Sequence, residues 1–126
     1  MKTNDIVAVY GSLRKGLGNH RLLSTSESLG THTVSIPFHM VSLGGFPALA
    51  PNDTVQEITV ELYRSDDPQV YSNLDSLEGY PTFYNRMQIV VNDKPAWVYY
   101  IEDPMYTRGR DRVEDGDWSK FIQMRG

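Results

Sequence analysis

The chain of 126 residues contains no cysteine. Disulfides, thiolate metal centres and a cysteine nucleophile are therefore excluded, and the composition fits a reducing compartment. A basic excess is also missing: 12 Lys and Arg stand against 16 Asp and Glu, for a net charge of −4. Nucleic-acid binders ordinarily show a basic stripe. The one dense basic stretch, Arg108, Arg110 and Arg112, is neutralised by Asp111, Glu114, Asp115 and Asp117 and reads as a solvated mixed-charge loop. No apolar run approaches the roughly 18 residues that a membrane span needs, and the N-terminus "MKTNDIVAVYGS" lacks a signal-peptide pattern. These absences predict a soluble, cytoplasmic protein with no nucleic-acid and no membrane partner. Histidine is scarce as well. His20, His32 and His39 form no HExxH pair, and their spacing suits no shared helical face, so no metal site is expected.

What is present is ordinary for one globular domain spanning residues 1–126: 40% hydrophobic and 22% charged residues. Ile6 to Tyr10 is a continuous apolar run closed by Gly11, the pattern of a buried strand. Asn19 is placed to cap a short helix through about Ser28, ended by Gly30. Val34, Ile36, Phe38 and Met40 alternate along a second strand in which Pro37 demands an edge or bulge. "GGFPALAPND" reads as a turn-rich loop. Val55 to Tyr63 is a third strand with Ile58, Val60 and Leu62 inward. Asp67 as N-cap, Pro68 at the first position, an apolar stripe at Val70, Leu74 and Leu77, and Gly79 as the stop predict a helix. Tyr84–Val91 and Ala96–Ile101 form a hairpin across "NDKP", and Asp117 caps a short terminal helix. The order β, short α, β, β, α, β, β predicts an α+β domain with a curved sheet or small barrel.

The loop "GSLRKGLG" has the four-residue glycine gap of a phosphate-binding P-loop, but Leu17 and Gly18 stand where Lys and Ser or Thr are required. "VYGSLR" does not match the G-x-S-x-G nucleophile elbow either. Gly11 still permits a sharp turn and a close ligand approach. Consecutive N–H groups at Ser12, Leu13 and Arg14 could cradle an anion or a developing oxyanion, or the segment is a plain tight turn. Glu78 occupies the last turn of the predicted helix, where the dipole disfavours a carboxylate. Leu77, Tyr80 and Phe83 would desolvate it if they pack around it, raising its pKa. Position alone leaves Glu78 either as a tuned base or as an exposed residue at a helix end.

Two segments together resemble one family. "VYGSLRKGLGNHRLL" and "LDSLEGYPTFYNR", with "LGGFPAL" and "GDW", are similar to the γ-glutamylcyclotransferase-like proteins, in their small single-domain branch, over Val7 to about Trp118. The resemblance implies a small mixed β-barrel with short helices packed around it and a cavity at one side. It also implies that Tyr10, Gly11, Ser12 and Leu13 form the substrate loop, with Glu78 as the acid/base. The activity implied is release of 5-oxoproline from a small-molecule γ-glutamyl substrate by attack of its own α-amine, without water, metal or cofactor. Arg14, near a substrate carboxylate, and Tyr84 are further candidates for lining the cavity. Arg86 either pairs with an acid or packs on the sheet face. One of Tyr99 and Tyr100 is expected in the wall, and Asn19 either caps the helix or bonds within the loop. The competing expectation is a non-catalytic ligand-binding or regulatory module using the same cavity.

Overall fold

The computed structural model describes residues 1–125. Five strands form one sheet in the order β2-β3-β1-β5-β4: β1 (Ile6–Val9), β2 (Glu27–Ser42), β3 (Pro47–Arg64), β4 (Asn85–Val91) and β5 (Lys94–Tyr100). Three helices accompany them: α1 (Pro68–Glu78), α2 (Pro104–Thr107) and α3 (Trp118–Arg125). The fold is α+β as expected. The sheet is not closed by hydrogen bonds, since β2 and β4 remain its edges, so the barrel is a loose one.

The apolar run at the start becomes the central strand. β1 pairs antiparallel with β3 and parallel with β5. Ile6, Ala8 and Tyr10 enter one core, shared with Phe38, Met40, Ile58, Val60, Leu62, Val98 and Trp118. Val7 and Val9 enter the opposite core, shared with Leu23, Tyr63, Val70, Leu74, Tyr84 and Tyr99. A strand covered on both faces has no polar side to show, which is why its sequence is continuous rather than alternating.

Two boundaries differ from the sequence expectation. The helix expected over Asn19–Ser28 is only a 3-10 turn at His20–Leu23; Asn19 makes no side-chain cap bond, and β2 begins at Glu27. Leu23 is the one fully buried residue of the turn. The chain beyond it is captured by β3 through Glu27↔Arg64 and Ser28↔Tyr63. Gly30 therefore lies inside a strand, at a register shift with φ +93°, and ends no helix.

The expected loop at residues 44–53 is likewise mostly strand: only residues 43–46 turn, and Pro47–Asn52 belong to β3. The prolines are tolerated for a geometric reason. The Leu49 N–H donates to the Tyr10 hydroxyl and its carbonyl accepts from Ile101 N–H, so Leu49 faces away from β2. Pro47 and Pro51, of the same parity, lack donors only on that side. The bulge foreseen at Pro37 is present, between Ile36 and Phe38.

The helix α1 follows its sequence signals. Asp67 accepts from Gln69 N–H at 2.9 Å, and Gly79 closes the helix at φ 64°, its N–H donating to Asp75 and Ser76 carbonyls. Leu77 departs from the expected stripe, being largely exposed at the cavity mouth. The β4–β5 turn is the two residues Asn92 and Asp93, both at positive φ. Asp117 accepts from Lys120 N–H at the start of α3. The mixed-charge loop exposes its arginines, yet Val113 is buried and docks its N–H on the Met40 carbonyl.

Candidate active site

Gly11 turns the chain at the end of β1, and no side chain fits there: an added Cβ would lie 2.9 Å from the Pro47 ring. That close approach brings the turn between β2 and β3 against the loop after β1. The C-terminal end of α1, the segment before β4 at Phe83 and Tyr84, and Tyr99 of β5 complete a cavity of about 290 Å³. Tyr10, Gly11, Ser12 and Leu13 all line it, as do Glu78 and Tyr84. The two segments that stood out in the sequence, 67 residues apart at Gly11 and Glu78, thus meet in one space.

Among the described residues, Glu78 is the only charged side chain in this lining. It sits half-buried at the last position of α1, beside Leu77, Phe83 and Tyr84. No hydrogen bond or ion pair to its carboxylate occurs among the described residues. Burial pushes its pKa up to about 7, because the low-dielectric surroundings disfavour the charged form. A carboxyl so placed can both take and return a proton near neutrality.

The tyrosines around it are held in fixed roles. Tyr10 donates to the Tyr99 carbonyl at 2.8 Å and accepts from Leu49 N–H. Tyr84 donates to the Pro47 carbonyl at 2.7 Å. Tyr99 donates to Asp75 at 2.7 Å. Burial raises the pKa of all three; for Tyr84 the Glu78 charge adds to it, and for Tyr99 the bond to Asp75 does. Each hydroxyl proton is committed to protein, and the raised pKa values keep these groups neutral.

The loop itself is only partly committed. Arg14 N–H donates to the Gly11 carbonyl, which removes it from the expected anion cradle. The N–H groups of Ser12 and Leu13 have no hydrogen-bond partner among the described residues. Asn19 braces the loop from below: its amide Nδ2 donates to Ser12 Oγ at 2.8 Å, and its N–H donates to the Ser12 carbonyl at 2.9 Å.

Arg14 is absent from the cavity lining, contrary to expectation. Its guanidinium bonds Glu61 and Asp117, each at 2.8 Å, in a nearly buried network. Two neighbouring carboxylates hold the cation more strongly than a single transient anion could. Arg86 pairs with Asp75 at 3.0 Å, the first of its two expected roles, and its guanidinium lies 4.0 Å from the Tyr80 ring centre. Of the two adjacent tyrosines, Tyr99 lines the cavity, while Tyr100 packs edge-on against Phe38. His20, His32 and His39 are bonded to the Leu13 carbonyl, the Leu29 carbonyl and Thr54 respectively. No group of acidic or histidine side chains among the described residues could hold a metal ion.

Asn19 takes the second of its two expected roles, bonding within the loop, while sequence reasoning passed over two contributors: Leu77 at the mouth, and the wall at Gly45, Phe46 and Pro47. The second was visible only as the segment "LGGFPAL", with no chemistry of its own to mark it.

Comparison with known proteins reaches the same segments. The gamma-glutamylcyclotransferase family protein YtfP of Escherichia coli is 33% identical over 113 residues, covering 89% of this chain and 94% of the relative. The solution structure of E. coli ytfP, at 30% identity, covers 93% of this chain and 98% of that one with a TM-score of 0.67. An AIG2-like protein of Mus musculus, at 23% identity, shares the fold with a TM-score of 0.71 over 92% of this chain and 88% of its own. A family model described as gamma-glutamyl cyclotransferase, AIG2-like, matches residues 7–120, a range that carries both halves of the cavity. The protein belongs to the gamma-glutamyl cyclotransferase, AIG2-like family.

Proposed function

We propose that the protein releases 5-oxoproline and a free amine or amino acid from a γ-glutamyl amide, with Glu78 as the single acid/base. The observation that carries this is an unpartnered carboxylate, tuned to about 7, sharing one cavity with the free N–H groups of the Gly11 turn.

The reaction follows from that arrangement. The substrate's neutral α-amine attacks its own γ-carbonyl carbon, forming a C–N bond and closing a five-membered ring. Glu78 takes the proton that the attacking nitrogen must lose. The carbonyl oxygen becomes an oxyanion, which the Ser12 and Leu13 N–H groups stabilise. The tetrahedral adduct collapses, the original amide C–N bond breaks, and Glu78 returns its proton to the departing nitrogen. Atoms and charge balance without water. Because the attack is intramolecular, holding the glutamyl chain folded supplies much of the acceleration, and one carboxylate suffices.

The test is to incubate the protein with a panel of γ-glutamyl amines, amino acids and peptides and to detect 5-oxoproline by mass spectrometry. Turnover is expected for part of the panel. Glu78→Gln should fold normally and lose about 10²-fold or more in kcat. With wild-type protein, kcat should rise with pH through about 7, as the carboxylate form accumulates. Tight binding of panel members with no product would favour the non-catalytic module instead.

A further inference from the structure

The direction of one hydrogen bond in the cavity is fixed by a residue outside it. An arginine can only donate. Arg21 Nη1 donates to the Gly18 carbonyl at 2.8 Å and reaches Asn19 Oδ1 at 3.3 Å. The amide oxygen of Asn19 therefore faces Arg21, and its Nδ2 faces Ser12. An amide nitrogen also only donates, so Ser12 Oγ must accept at 2.8 Å. The Ser12 hydroxyl proton cannot then point at Asn19. No protein acceptor among the described residues takes it, and both Ser12 and Asn19 line the cavity that holds Glu78. The same asparagine grips the Ser12 carbonyl with its own N–H, which sets the plane of the Ser12–Leu13 peptide and hence the direction of Leu13 N–H.

We propose that Asn19 is a positioning residue that turns Ser12 into an obligate hydrogen-bond donor toward the cavity, where its hydroxyl adds a third donor to the developing γ-oxyanion. This rests on the cyclisation described above. It assigns Arg21 the task of keeping the amide in the donating orientation.

The decisive variant is Asn19→Asp. The new side chain is nearly isosteric but can only accept, so it draws the Ser12 proton out of the cavity. Expected is a fall in kcat of roughly 10²-fold, the scale of losing one oxyanion donor, with KM nearly unchanged. Ser12→Ala should fall equally, and combining the two should add nothing further. Asn19→Ala should lose less than Asn19→Asp, because it frees the hydroxyl rather than capturing its proton. A purely structural asparagine predicts the reverse order, with Ala the worse substitution. Near-wild-type kcat in Asn19→Asp or in Ser12→Ala, or additive losses in the double variant, would overturn the proposal while leaving cyclisation intact. Neutron diffraction of the perdeuterated wild-type protein gives a readout independent of turnover. The Ser12 deuteron should point into the cavity; a deuteron directed at Asn19 defeats the assignment even if 5-oxoproline is formed. If no panel member yields 5-oxoproline, the cyclotransferase reading fails by itself, and the deuteron position still decides the hydrogen-bond polarity.

Discussion

At the scale of single residues, the site sets function against stability. Glu78 would titrate at the ordinary glutamate value of 4.5 in an unfolded chain and at about 7 in the folded one. That difference corresponds to about 3 kcal/mol against ionising the folded protein. Its sign follows from linkage. The folded state binds this proton more tightly than the unfolded state, so the stability it contributes is complete below 4.5 and is lost as pH rises through about 7. Glutamine at this position carries no charge to desolvate. Glu78→Gln should therefore be more stable than wild type by about 1–3 kcal/mol at pH 8, with the gap closing below pH 4.5. Urea titrations at the two pH values measure this directly. Equal stabilities at pH 8 would mean that the carboxylate is well solvated and untuned.

At the scale of elements, the loop after β1 is held by charge. Glu61 on β3 receives Arg14 Nε, Lys15 N–H and the Tyr63 hydroxyl, each at 2.8 Å, and Asp117 before α3 receives Arg14 Nη1. Burial pushes both carboxyls up, but the bonds to Arg14 and to backbone N–H groups outweigh it and leave them below their ordinary values. Depressed carboxyls stabilise above their unfolded pKa and release that stability as pH falls below about 4. Arg14→Ala strands Glu61 in a site it cannot leave, and a loss of about 3–5 kcal/mol is expected at pH 7. The loss should shrink at pH 3, where the stranded carboxyl can protonate; thermal unfolding at the two pH values checks both.

This network was not legible in the sequence, where Arg14, Glu61 and Asp117 are simply three charges far apart. The elements themselves were more readable wherever a local signal decided them. Asp67-Pro68 marked α1, and the same Asp-Pro pair at Asp103-Pro104 starts α2, its carboxylate accepting from Met105 N–H. That second signal was missed because the helix is a single turn with no apolar stripe. The turn at Asn92-Asp93 fixes the register of β4 and β5, so that Arg86 lies opposite Tyr99. Reading the turn as the four residues "NDKP" hid which of Tyr99 and Tyr100 faces the cavity. Asn19 stayed open between two roles for a better reason: asparagine before an apolar pair is a good cap, and only the tertiary position of Ser12 decides that its amide bonds within the loop.

At the scale of the whole molecule, the cavity joins segments that the chain order separates. The turn at Gly11, the Gly45–Pro47 tip, the end of α1 and β5 at Tyr99 each supply one wall, and central β1 carries the loop to the place where they converge. No local pattern encodes that convergence, which is why the acid and the loop were recognisable only as a pair. It also dictates how a ligand should be felt. A compound bound between Ser12 and Glu78 links the loop after β1 to the end of α1, so both must open together for exchange to occur there. At about 100 Kd of ligand the stabilisation is about 2.7 kcal/mol, or roughly 10²-fold in exchange rate at amides that open only from the free state. With saturating 5-oxoproline, hydrogen exchange should slow together at residues 11–19 and 77–84. The β2–β3 ladder around Thr33 and Thr59, remote from the cavity lining, should exchange as before unless it opens only by global unfolding. Protection confined to residues 11–19, with none at residues 77–84, would mean that the ligand rests on the loop without reaching Glu78, and the two halves of the site would not act on one substrate.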